Sequence, residues 1–78
     1  MSVTVLYFAS LRDAAGRDRE EVDRPESAAA LYDALRARHG LALPRERLRV
    51  AIDGEFADWH APVRDGAEIA FIPPVSGG

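Results

Sequence analysis

The chain begins with a near-continuous apolar run, VTVLYFAS (Val3 to Ser10), rich in β-branched and aromatic residues. Its length suits a strand better than a helix. A run this continuous predicts a central strand, covered at least in part on both faces. The segment SLRDAAGRD comes next. Ser10, with Asp13 three residues on, resembles a capping box in which Asp replaces the usual Glu. Gly16 suits the left-handed position just past a helix end. The pattern predicts a short helix over about Leu11 to Ala15. REEVD (Arg19 to Asp23) is polar with one apolar anchor, Val22. It predicts an edge strand whose charges discourage pairing with another sheet.

PESAAALYDALRARHG predicts the main helix. Ser27 is placed to cap it. Ala28, Leu31 and Leu35 recur at helical spacing on one face, extended by the aliphatic stem of Arg38. Gly40 ends it. In LALPRERL, Pro44 prevents a helix from continuing. RVAIDGEFA predicts a hairpin, because apolar flanks surround Asp53-Gly54, a pair that favours a tight type I′ turn. A second turn is expected at Asp65-Gly66. The last strand runs from Ala67 to Ile72 and ends at Pro73-Pro74, where neither proline can donate to a ladder.

This order implies an α+β fold, a small mixed sheet packed on one main helix plus a short helix. The first and last strands are the most apolar, so they are expected to be central, parallel neighbours. The chain divides into a folded domain over residues 1–72 and an extended, flexible tail over 73–78. With 78 residues there is room for one domain.

Composition narrows the function. The apolar fraction is 47%, much of it alanine, and no run approaches the ~20 residues that span a bilayer. No signal peptide is visible. The absence of cysteine excludes disulfides, thiolate nucleophiles and cysteine metal sites, and it fits a cytoplasmic setting. A net charge of -3 argues against nucleic acid as a partner. All ten basic residues are arginine. The N-terminal amine is then the one amine expected, and an activated C-terminus has no lysine on its own chain to attack.

Few residues suggest chemistry. The acidic group Asp18, Glu20, Glu21, Asp23 and Glu26 is split between faces by strand spacing, so a solvated edge is expected. His39 falls in the last helical turn, where an imidazole suits the helix dipole. It and His60 lack a catalytic motif around them, and both are expected to be structural. Trp59 is expected as a packing anchor or partner contact. No phosphate-binding glycine loop, HExxH or nucleophile elbow is present.

The closing PPVSGG is different. Pro73-Pro74 favours stiff polyproline II geometry. Val75 and Ser76 are slim, and Gly77 and Gly78 can pass a narrow channel in backbone angles barred to other residues. Six extended residues reach about 20 Å, enough to carry a carboxylate into another protein's buried site. An ordinary frayed terminus is the alternative.

VLYFASLRDAAGRD, VAIDGEF and DGAEIAFIPPVSGG together resemble the MoaD family, the small sulfur-carrier subunits of molybdopterin synthase. The likeness runs through nearly the whole chain in order, and IPPVSGG is its most specific part. That family often has asparagine where this chain has Asp53. The resemblance implies the β-grasp, ubiquitin-like fold. It also implies that the chain is not catalytic alone. The Gly78 carboxylate would be adenylated, converted to a thiocarboxylate and used to donate sulfur to a pterin precursor. Gly77, Ser76, Val75, Pro74 and Pro73 would thread into partner active sites. Phe8 and Ile72 would dock the large, MoaE-like subunit, with Arg12 and Arg64 as polar rim contacts; the alternative is that Phe8 and Ile72 are both core residues. A MoeB-like adenylating enzyme would supply ATP and Mg²⁺, and a separate protein would donate sulfur. No bound cofactor, metal, nucleic acid or membrane is implied. Other readings are a thiamin-pathway or cysteine-biosynthesis carrier, a ubiquitin-like modifier, or an interaction module with an inert tail.

Overall fold

The computed structural model describes residues 1–74. The elements are β1 (Ser2–Tyr7), α1 (Ala9–Ala15), β2 (Arg19–Asp23), α2 (Ala28–His39), β3 (Arg49–Ile52), β4 (Glu55–Ala57) and β5 (Glu68–Ile72), with a 3₁₀ turn at Arg45–Arg47. They form a five-stranded sheet in the order β2-β1-β5-β3-β4. The expected α+β architecture and the central β1–β5 pair are both present. That pair is parallel, from Thr4 opposite Glu68 to Tyr7 opposite Phe71. The other pairings are antiparallel.

One face of the sheet packs on α2. Val3, Val5, Tyr7, Val50, Ile69 and Phe71 alternate toward it, and Ala28, Leu31, Tyr32 and Leu35 meet them from the helix. Burying each of the larger of these side chains stabilises the fold by roughly 1.5–3 kcal/mol. Tyr32 adds a bond that helical periodicity alone did not single out: its hydroxyl donates to the Leu43 carbonyl at 2.6 Å. Trp59 is the packing anchor expected. Its ring stacks on Phe71 at 5.8 Å and 9°, and Tyr32 meets Phe71 edge-on at 5.1 Å.

The caps decide where the helices begin. Ser27 Oγ accepts from the Ala30 amide at 3.1 Å, so α2 starts where its sequence indicates. The capping box predicted for α1 does not form. The helix starts at Ala9, the preceding Phe8 is extended, and no side chain caps it. Instead the Phe8 carbonyl accepts from the Leu11 amide at 3.0 Å. Ala9, at φ 50, turns the chain directly from β1 into the helix. That tight turn puts Ser10 inside the first helical turn rather than before it.

The Asp53-Gly54 turn has φ of 53 and 87, the two positive values that a type I′ hairpin requires. At the Asp65-Gly66 turn, Asp65 Oδ1 accepts from the Ser2 amide at 2.7 Å. The Gly66 amide donates to the Ser2 carbonyl, also at 2.7 Å. These bonds fix the start of β1 beside the entry to β5.

The expectation of a uniformly solvated β2 fails at Glu20. Its side chain is 11% exposed. It accepts from the Tyr7 hydroxyl at 2.8 Å, contacts His39 Nε2 at 3.1 Å and meets Arg38 Nη1 at 3.3 Å. Strand alternation turns Glu20 and Val22 inward together, and α2 closes over that side. His39 is structural, as expected, through this contact.

Candidate functional site at the tail exit

The site begins with strand register. Tyr7 stands opposite Phe71 in the parallel pair, so Phe8 and Ile72 leave the sheet side by side. Phe71 and Tyr7 point into the core, and the next residue on each strand points away from it. Phe8 is 46% exposed, so it is not a core residue. Ile72 is half-buried, as is Pro73, and Pro74 is exposed. Val75, Ser76, Gly77 and Gly78 lie outside the described residues.

On the other flank of β5, Arg49 pairs with Ile72. Its guanidinium sits 3.9 Å over the ring of Phe56, which is 59% exposed. Arg47, Arg49, Phe56, Ile72, Pro73 and Pro74 line a groove of about 300 Å³. Across the sheet face away from α2, Leu6, Ala70, Ala51 and Phe56 are successive register partners on β1, β5, β3 and β4. This forms an apolar path that ends beside the groove. Sequence reading missed Phe56, because a hairpin residue gains its role only from the strand beside it. The alternation of Phe56 between Glu55 and Ala57 was the available signal.

The two proposed rim arginines separate. The Arg12 amide donates to the Phe8 carbonyl at 3.4 Å, which keeps Arg12 at the tail end. Arg64 is at the other end. Its Nη2 donates to Asp53 Oδ2 at 2.6 Å. Asp53 Oδ1 also accepts from the Glu68 amide at 3.0 Å, where β5 begins. The parallel run from Glu68 to Ile72 carries the chain away from Arg64. The Glu68 amide, joined by Arg64, holds the Asp53 carboxyl below the usual carboxylate range.

The Glu20 cluster lies toward the tail end, under Tyr7, the last residue of β1. Burial pushes Glu20 up. The hydrogen bonds from Tyr7 and His39, with the charges of His39 and Arg17, outweigh it and hold the carboxyl below its ordinary value. Burial pushes the Tyr7 phenol up, and its bond to the Glu20 carboxylate adds to this. These groups are saturated with one another, so they clamp β1 to α2 rather than form a reactive centre. Among the described residues, no group of three or more His, Asp or Glu is placed to hold a metal ion. None of the described helices is long and apolar enough to cross a membrane.

A mixed sheet grasping one helix, with its last strand central, defines a ubiquitin-like β-grasp protein. The chain belongs to the ThiS family, whose family model matches residues 5–78. It is 38% identical to the molybdopterin synthase sulfur carrier subunit of Escherichia coli, over 97% of this chain and 99% of that protein. The fold matches SAMP1 from Haloferax volcanii with a TM-score of 0.80 and 29% identity, covering 100% of both chains. It also matches a chain of the complex of subunits 1 and 2 of the molybdopterin-converting factor from Helicobacter pylori, with a TM-score of 0.71 and 24% identity, covering 100% of this chain and 100% of that one. The last likeness speaks to fold alone.

Proposed function

We propose that this chain is the sulfur carrier subunit of a molybdopterin synthase. The observation that carries the reading is the placement of the tail's base, Pro73 and Pro74. A central strand, locked on both sides, delivers Pro73 and Pro74 beside exposed Phe8 and Phe56. The family match continues through the closing glycines. The 38% identity to a carrier subunit with that assigned role supports this pathway among those open to the fold.

In this reading the working group is the Gly78 carboxylate. A terminal carboxylate has a pKa of about 3.5 and is ionised at neutral pH. Ionised, it resists nucleophilic attack. An adenylating partner of the MoeB type would use ATP and Mg²⁺ to turn it into an acyl-adenylate. A sulfur donor would then displace AMP to leave a thiocarboxylate. This sulfur is soft, anionic and nucleophilic, suited to transfer into a pterin precursor held by a MoaE-like large subunit. The catalytic groups belong to those partners, and this chain is not catalytic alone. The slim sequence Val75-Ser76-Gly77-Gly78 suits passage into a partner's channel. Phe8, Ile72 and Phe56 form the apolar docking surface, and Arg12 and Arg49 contribute to its rim. A cytoplasmic setting belongs to the same reading.

The test is intact-mass measurement after incubation with the adenylating enzyme, ATP and a sulfur source. The expected product is heavier by the difference between sulfur and oxygen, located on Gly78 by fragmentation. An unchanged mass with an enzyme shown to be active would refute the reading.

A second reading has a specific observation behind it. The full-length likeness to SAMP1 fits a ubiquitin-like modifier that joins Gly78 to lysines on other proteins. Recovery of isopeptide-linked targets from cells, without thiocarboxylate, would favour it.

A further inference from the structure

The arginines of this chain are not equivalent once it is folded. Arg12, Arg17, Arg19, Arg38, Arg45 and Arg64 pair with carboxylates. Arg36 donates to the Leu41 and Ala42 carbonyls. Among the described residues, this leaves Arg24, Arg47 and Arg49 with neither an ion pair nor a side-chain hydrogen bond. Arg24 stands at the far end of the sheet, where its amide donates to the Met1 carbonyl. Arg47 and Arg49 both line the groove at Pro73 and Pro74. Glu46 lines it too, yet pairs with neither of them. In a chain of net charge -3, two unanswered cations fall together in one groove.

Arg49 is the better defined of the two. It pairs with Ile72, and alternation puts it on the face of Ala51 and Phe56, away from α2. Its guanidinium carbon sits 3.9 Å over the Phe56 ring. The ring face attracts the cation and restricts its swing. An aromatic face does not use the in-plane N–H donors, and a guanidinium carries five of them in a fork that matches a carboxylate. Phe56 is 59% exposed, so a partner that docks on this apolar surface covers the ring and the guanidinium above it together. A cation covered without a counter-charge is costly, whereas an Arg–carboxylate pair with two parallel hydrogen bonds offsets its lost hydration.

We propose that the partner surface which covers Phe56 presents an Asp or Glu side chain, that Arg49 binds this carboxylate through its fork, and that Arg47 is the outer cationic contact. The proposal rests on the reading of this chain as a subunit that docks on a large partner, and it adds the charge which that partner must supply.

The test uses the full chain and the large subunit, with affinity measured by calorimetry at low and at high salt. Arg49→Leu keeps an apolar cover on Phe56 but removes the charge. It is expected to bind at least about tenfold more weakly than the native chain, with a flattened salt response. Arg49→Glu should lose at least about a hundredfold, because it sets like charges together. Arg24→Leu should bind as the native chain does. The chain has no lysine, so Arg49→Lys installs a single side-chain amine. Carbodiimide treatment of that variant in the complex should join the new amine to a partner carboxylate as an amide, the carbodiimide taking up the water released. Fragmentation should identify the Asp or Glu, and Arg24→Lys should give no such product. If the native chain binds but Arg49→Leu stays within about twofold of it with the same salt response, the proposal is overturned and the carrier reading stands. Equal coupling in Arg24→Lys has the same consequence. Failure of the native chain to bind the large subunit overturns the docking reading and this proposal together.

Discussion

Tyr7 and Phe71 stand opposite each other across the parallel β1–β5 pair, both buried. Their successors, Phe8 and Ile72, therefore leave the sheet together, and Phe8 faces solvent. This register turns two strand ends that are distant in sequence into one surface at the base of the tail. It also separates adjacent residues, since Tyr7 and Phe71 are buried in the core while Phe8, in the function proposed above, serves recognition.

The separation predicts opposite phenotypes. Phe71→Ala removes a fully buried ring from the Tyr32–Trp59 cluster and is expected to cost about 3–5 kcal/mol in urea unfolding. Phe8→Ala, at a half-exposed position, should change stability by no more than about 0.5 kcal/mol. It should instead weaken binding to the large subunit, measured by calorimetry. A large stability loss with unchanged affinity would assign Phe8 to the fold.

Deleting Gly78, or extending the chain past it, is expected to abolish thiocarboxylate formation. The melting temperature should move little, since the domain closes through Ile72. Calorimetric scanning beside the mass assay checks both parts, and a substantial drop in melting temperature would make the tail structural.

Glu20 gives the acid dependence. Its folded pKa lies below the ordinary value of 4.5. Its contribution is therefore fully present above the unfolded value and is lost as pH falls through the lower folded one. Unfolding free energy should decline below about pH 4.5, and less so in Glu20→Gln. Glu20→Ala leaves the Tyr7 hydroxyl without its acceptor and should cost about 1–3 kcal/mol at neutral pH. An identical acid slope in Glu20→Gln would show that other carboxylates set it.

Asp53 closes the other end of the sheet. Its amide donates to the Glu68 carbonyl at 2.8 Å, while its carboxylate accepts from the Glu68 amide. Asp53→Ala should lower the urea midpoint, because the acceptor is lost and alanine is strained at φ 53. Asp53→Asn should lower it less, since asparagine accepts the same bond and tolerates the left-handed region. Equal midpoints for the two variants would remove the side chain from the account.

Much of this protein is legible in its sequence for local reasons. Apolar runs mark β1 and β5. Ser27 and Gly40 bound α2, and Asp53-Gly54 sets the hairpin, because caps and turns depend on residues within a few positions of one another. The family was legible in IPPVSGG together with the earlier motifs. The tertiary structure decided what depends on strands meeting. It moved the start of α1 to Phe8 and Ala9, because the chain turns straight out of β1. It buried Glu20 among Tyr7, Arg38 and His39: alternation puts Glu20 on the side of Val22, but only the packing of α2 over that side supplies its partners. It assigned Arg64 to Asp53 and Arg49 to the tail, although neither spacing in the chain indicates this. Local propensity acts through neighbours in sequence, whereas a site at a strand end is assembled by register, which exists only after the strands pair.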